Sequence, residues 1–224
     1  MKNSPFFKHI LWDSATFGIE TFEIISLSKQ ALMQAVQNPG HYTAKVDPLA
    51  SKEILHEYGF YYCDTLIEPY CRIEQFVYFD DKKATMTKAQ SLKNVTFISQ
   101  NAFSHGRFHR DFNFQKDLAE NRYLGWLKQL YNSNCVYELS YDSEVAGFIA
   151  IDKGKLVLHA LVEKFRGKGI SKFLWSKVCR ELFDNNLTEL TSSISASNLA
   201  TLNLYSSLGF RFRNAFDIYH RLVE

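Results

Sequence analysis

The sequence predicts an α/β protein: a mixed, largely antiparallel sheet flanked by helices, with a smaller N-terminal α/β domain ahead of it. Short apolar runs alternate with helical patterns from Phe22 to Phe79, a hairpin-rich stretch covers Cys135 to Leu161, and a strand–helix–strand–helix series follows Leu156. In the N-terminal part, Phe22 to Leu27 reads as a strand and Lys29 to Gln37 as a helix stopped by Asn38-Pro39-Gly40. His41 to Val46 is a second strand, and Asp47-Pro48 reads as the cap and first turn of a helix running to Tyr58, with Gly59 as its stop. Phe60 to Ile67 and Tyr70 to Phe79 are two further strands. The polar run 80–87 is the best linker, which divides the chain into an N-terminal domain over residues 1–84 and a larger domain over 85–224.

In the larger domain the helices expected are Lys88 to Phe103, Glu120 to Tyr131, Ile170 to Asp184 and Asn198 to Leu208. Cys135 to Tyr141 and Val145 to Asp152 form a hairpin through Asp142-Ser143-Glu144; Leu156 to Leu161 and Leu187 to Ile194 are strands, and two more finish the chain after Gly209. Shifting the sequence by 150 positions lays Leu49-Ala50 on Leu199-Ala200 and Gly59-Phe60 on Gly209-Phe210, consistent with a truncated relative of the C-terminal fold in the N-terminal part. Composition is that of an ordinary globular protein, with 26 Lys plus Arg against 24 Asp plus Glu. That balance does not suit a dedicated nucleic-acid binder. No apolar run is long enough to span a bilayer. The charged opening Met-Lys-Asn-Ser-Pro-Phe-Phe-Lys is no signal peptide, and four cysteines without a C-x-x-C pair suit a reduced, cytoplasmic protein.

The strongest site signal joins the strand ending at Leu161 to the helix beginning near Ile170. Arg166-Gly167-Lys168-Gly169-Ile170-Ser171 places two glycines and two cations at a helix N-terminus, where unpaired N–H groups and the helix dipole favour an anion such as a pyrophosphate. It is neither a P-loop nor a dinucleotide fingerprint, since Lys172 stands where the third glycine would be. A second signal is Asn198 to Phe210, with Tyr205 four residues before Gly209-Phe210.

Together these segments resemble the GCN5-related N-acetyltransferase superfamily. The resemblance covers about Lys88 to Glu224 and implies its fold, acetyl-CoA as cosubstrate and no metal. It implies that Leu161 offers its backbone N–H to the acetyl oxygen, that Val162 continues the contacts along the pantetheine arm, that residues 166–171 hold the pyrophosphate, and that Asn198 lies in the cofactor-binding motif. Tyr205 matches the general acid toward the departing thiol, and direct attack by the amine is expected because no cysteine lies in either motif.

A finer resemblance runs over nearly the whole chain. Leu11-Trp12-Asp13 with Phe17-Gly18, and Gly106-Arg107-Phe108-His109-Arg110-Asp111, are similar to the dTDP-fucosamine acetyltransferases, which N-acetylate dTDP-4-amino-4,6-dideoxygalactose in surface-polysaccharide biosynthesis. This implies a nucleotide-linked amino-deoxysugar as acceptor, with a general base just after the Gly59-Phe60 strand start. Asp64 holds that place, Glu68 is the nearest substitute, and His159 is an alternative base. Arg107 and Arg110 are the candidates for the substrate diphosphate, for which arginine's planar fork is suited. His105 and His109 could form a metal pair, but Gly106 weakens the helix that would align them and no third ligand is evident. Other amine acceptors, and a non-catalytic acyl-CoA sensor, are the alternatives. A homodimer is one option for its assembly.

Overall fold

A computed structural model describes residues 4–100 and 102–224, and the chain divides into two compact units. The first three residues of the charged opening, and Asn101 within the helix expected over Lys88 to Phe103, lie outside the described residues.

The first unit holds residues up to Leu66 together with His105–Arg122 and Ala215–Glu224. Its elements are β1 (Phe7–His9), α1 (Leu11–Phe17), β2 (Thr21–Ile24), α2 (Lys29–Val36), β3 (Gly40–Val46), α3 (Glu53–Glu57), the first part of β4 (Tyr61–Arg72) and the end of the last strand, Arg211–Val223. β1 pairs antiparallel with β2, β2 runs parallel to β3, and Asp217 to Val223 pair antiparallel with Val46 to Gly40. Phe7, Phe22, Leu32, Tyr42, Leu55 and Phe60 form its core. Ser28 caps α2 by accepting the Ala31 N–H at 3.2 Å.

Three expectations here need correction. The helix after Asp47-Pro48 is only the five residues of α3, because Asp47 spends its side chain on the Leu49 N–H at 2.8 Å and closes an Asx turn instead of a cap. The two strands of 60–79 are one strand, β4, ending at Arg72; Pro69, with no N–H to give, sits one residue ahead of the ladder to its neighbour. A cut at residue 84 does not separate the units, since 105–122 and 215–224 join the first.

The second unit comprises Ile67–Ser104 and Tyr123–Asn214. It contains β5 (Ala84–Lys88), α4 (Leu92–Ser99), most of α5 (Lys116–Asn132), β6 (Val136–Tyr141), β7 (Glu144–Asp152), β8 (Lys155–Leu161), α6 (Ser171–Asp184), β9 (Glu189–Ser192), β10 (Ile194–Ser195), α7 (Leu199–Ser207) and the start of β11 (Arg211–Val223). The strand order β5-β6-β7-β8-β9-β4 is antiparallel except where β8 and β9 run parallel. One face packs Ile149, Leu156, Leu174, Trp175, Val178 and Tyr205 beneath α6 and α7; the other packs Val95, Leu127, Phe148, Leu158 and Ala160 beneath α4 and α5. The polar run expected as a linker contains β5, in register with β6 from Ala84↔Tyr141 to Lys88↔Tyr137; its alternation of one buried and one exposed face is what made it look polar throughout. The two closing strands are the single β11, bent at Asn214, whose φ is +53°.

The 150-residue repeat has a structural counterpart. Phe60 N–H bonds Leu55 O at 2.9 Å and Phe210 N–H bonds Tyr205 O at 3.0 Å, with Gly59 (φ +70°) and Gly209 (φ +87°) in the left-handed region. Both helices end in the same cap geometry. Leu55 stands where the second unit has Tyr205, and the preceding helices differ in length, five residues against nine.

Candidate active site

β8 is the element that makes a site. It pairs with β7 along its length, from Asp152↔Lys155 to Gly147↔Leu161, but with β9 only at Lys155↔Thr191 and Leu156↔Ser192. Beyond Leu156 the two parallel strands part. Val162 N–H bonds Ala146 O at 2.8 Å, which fixes the phase of the antiparallel ladder. By the alternation of that ladder, the amides of Leu161 and His159 face away from β7, into the opening. Leu161 therefore presents a backbone donor in the gap. Its carbonyl is held by Arg166 Nε at 2.9 Å. Val162 is corrected: its N–H is committed to Ala146 and its carbonyl accepts the Phe165 N–H at 2.9 Å, so it has no main-chain donor for a pantetheine arm.

At the end of β8, Gly167 (φ +70°) and Gly169 (φ +71°) turn the chain into α6, and a Cβ on either would meet no atom within 4 Å. Side chains there would be strained by backbone conformation rather than by crowding. Ile170, the residue before α6, makes no side-chain cap bond, and the first turn carries no acid. Amides at such a helix start suit an anion in general, and Lys168 is exposed beside them. Asn198 caps α7: its Oδ1 accepts the Thr201 N–H at 3.2 Å.

The Tyr205 ring is completely buried, 4.6 Å from the Phe210 ring, and burial pushes its pKa up. Its hydroxyl lies 3.2 Å from His159 Nε2, and the His159 ring is edge-on to Trp175 at 5.0 Å. His159 is half-buried, and desolvation lowers its pKa to about 4, so the imidazole is neutral at pH 7. The structure thus joins two residues that the sequence reading had treated separately. The signal available was their pattern: His159 shares a strand face with Leu161, the face that α7 covers.

The remaining candidates lie elsewhere. In the first unit, Asp64 is buried and accepts Arg110 Nη1 at 2.8 Å and the Thr65 N–H at 2.9 Å. Arg107 lies over the Phe108 ring at 4.9 Å, half-buried. Glu68, in the second unit, is paired with Arg213 Nε at 2.6 Å. His105 and His109 lie on an irregular loop rather than a helix.

The motif residues that carry the finer resemblance build a framework. Asp13 is buried and paired with Arg122 at 2.7 Å; the Arg122 guanidinium lies over the Trp12 and Phe108 rings at 4.8 and 4.7 Å. Phe17 packs on Phe108 and Phe114, and Gly18 closes α1 at φ +69°. Asp111, unforeseen in the sequence, is surrounded by His220 Nδ1 at 2.7 Å, His41 Nε2 at 3.3 Å, Tyr61 Oη at 2.9 Å and the Asn113 N–H at 2.9 Å. Burial would raise its pKa, but these hydrogen bonds outweigh it and hold the carboxylate below its usual range. With donors on both oxygens, Asp111 reads as the charged pin of a hydrogen-bond network.

Residues 102–210 match the Acetyltransferase (GNAT) family. A tandem GNAT protein from the clavulanic acid biosynthesis pathway superposes with a TM-score of 0.56 at 8% identity, over 90% of this chain and 75% of that one. The fold is that of the GNAT acetyltransferases. A conserved protein of unknown function from Staphylococcus epidermidis shares this GNAT-like architecture over 100% of this chain and 94% of its own, with a TM-score of 0.66 and 11% identity. By sequence, 92 residues are 32% identical to N-acetylaspartate synthetase from Homo sapiens, covering 38% of this chain. The match spans 30% of that relative's length. Among the described residues no helix is long and apolar enough to cross a membrane.

Proposed function

We propose that the protein transfers an acetyl group from acetyl-CoA to the amino group of a nucleotide-linked amino-deoxysugar of the dTDP-4-amino-4,6-dideoxyhexose type. The observation that carries the transfer is the parting of β8 from β9, which exposes the Leu161 amide between the turn at 167–169 and the His159–Tyr205 pair. The turn and the start of α6 suit a pyrophosphate, and the Leu161 N–H suits the oxygen of a thioester carbonyl, where it gains strength as that oxygen becomes anionic.

In this reading the amine attacks the thioester carbon directly and the C–S bond breaks. Neutral His159 collects the proton that the new ammonium loses; the Tyr205 phenol gives its proton to the departing sulfur and is reprotonated through His159. The sulfur must approach the covered hydroxyl from the gap beside His159. The acceptor class is supported by the Leu11 to Gly18 and Gly106 to Asp111 resemblance.

A thiol-release assay with acetyl-CoA against 3-amino and 4-amino deoxysugar nucleotides tests this directly. Turnover on a nucleotide sugar is the expected result. Turnover on free amino acids alone would select the second reading, an amino-acid acceptor, which the match to N-acetylaspartate synthetase favours. Binding of acetyl-CoA with no turnover on any amine would leave a sensor.

A further inference from the structure

In the loop after Ser104, Arg110 and Phe112 flank the buried Asp111, and their side chains are treated unlike those of their neighbours. Phe108 and Phe114 are buried in the aromatic cluster around Phe17, whereas Phe112 is 78% exposed. A phenylalanine left in water is unfavourable unless something covers it in use. Phe112 is not loose: its ring lies 4.6 Å from that of Tyr61, and Tyr61 is fixed by Asp111 at 2.9 Å and by Asn113 Nδ2 at 2.6 Å. The result is a two-ring surface whose position is set by a buried carboxylate.

Arg110 is held with equal care. Among the described residues Nη1 is the nitrogen engaged, by the buried Asp64 at 2.8 Å, and the guanidinium lies over the Tyr62 ring at 5.7 Å while its side chain stays 34% exposed. A carboxylate on one nitrogen leaves the rest of the fork for an oxyanion. Arg107, the other candidate cation, lies against Phe108 instead. An exposed phenylalanine held against the half-buried Tyr61, two residues from an exposed, pinned arginine, is the chemistry of a base stacked beside a phosphate.

We propose that this loop is a nucleoside diphosphate subsite: Phe112 and Tyr61 stack the base, Arg110 binds the diphosphate, and Asp64 is the positioning residue for Arg110 instead of the general base. This rests on the nucleotide-sugar reading of the acceptor and adds where its nucleotide is held.

The test is binding of dTDP to the full chain by calorimetry, without acetyl-CoA, so that catalysis does not enter. Wild type is expected to bind, and Phe112→Ala, at an exposed position, to weaken binding about fivefold or more, since stacking a base on an aromatic ring is worth roughly 1–3 kcal/mol. Arg110→Lys should weaken dTDP while leaving thymidine binding unchanged. Asp64→Asn should copy Arg110→Lys in dTDP affinity, whereas a general base would change kcat and leave dTDP affinity alone; circular dichroism checks that this buried variant is folded, and if it is not, the Phe112 and Arg110 variants decide. If dTDP and UDP do not bind, or bind all variants as they bind wild type, the subsite is wrong. The thiol-release panel reports separately: turnover on a nucleotide sugar with unaltered variants overturns only the subsite, and turnover confined to other amines overturns the acceptor reading.

Discussion

Tyr205 and His159 show how differently one residue reads alone and in place. As letters, one was a helix tyrosine in a motif and the other a strand histidine; in the fold the buried phenol and the half-buried imidazole are 3.2 Å apart. Tyr205→Phe removes one buried hydroxyl and its bond to His159. Turnover should fall at least about tenfold with acetyl-CoA affinity within about twofold, and the fold should lose about 1–3 kcal/mol, the cost of leaving buried partners unmet. Steady-state kinetics and urea denaturation read the two separately. Because burial holds His159 at a pKa of about 4, the pH profile of kcat/KM should show no inflection near its ordinary value of 6.5. An acidic limb centred at 6.5 would assign that proton to another group. Tyr205 and the glycine turn were legible because their spacing is local. Its covered hydroxyl was not, because burial depends on residues brought in from Ser192 and Trp175.

At the scale of elements, the glycines around β8 separate crowding from strain. A Cβ at Gly147 would stand 2.4 Å from Ala160 O and 3.2 Å from Leu161 Cα, so Gly147→Ala must push β8 at the very amide that faces the opening. Both stability and turnover should drop, seen in thermal melting and in kcat. Gly169→Ala meets no atom within 4 Å and suffers only its left-handed φ of +71°, a cost of roughly 1–2 kcal/mol. Its expected signature is a raised KM for acetyl-CoA with kcat little changed. The motif announced this turn well, since Gly-x-Gly before an apolar helical stripe has few other uses. It could not announce that Val162 would be consumed by the β7 ladder, because the phase of hydrogen bonding is set by register with Ala146, sixteen residues away. The short α3 and the hidden β5 were misread for the opposite reason: Asp47-Pro48 and the polar run 80–87 each fit two local structures, and their tertiary neighbours chose.

For the molecule as a whole, the buried His41 and His220 and the half-buried His159 make folding sensitive to acid. His41, His220 and His159 are all held below 6.5 by burial, with His220 at about 3 and His159 at about 4. Between 6.5 and those values the unfolded chain binds protons that the folded chain refuses, so stability is full above 6.5 and falls as pH drops through that window. Asp111, held below its usual range, loses its contribution only in stronger acid. The melting temperature should therefore be level from pH 8 to 7 and decline below about 6.5, and replacing His159 by Gln should make the decline shallower. A melting curve independent of pH down to about 4.5 would contradict the burial of these rings. The sequence by itself determined the α/β class, the turn at 167–169 and the helix that starts at Asn198, because each is written in contiguous residues whose backbone demands are local. Only the tertiary structure decided that residues 105–122 belong with the N-terminal unit, that Asp111 gathers His41 and His220, and that Arg110 rests on Asp64. Those outcomes depend on segments up to 109 positions apart meeting in a low-dielectric interior, where a charge must find its partners whatever their distance along the chain.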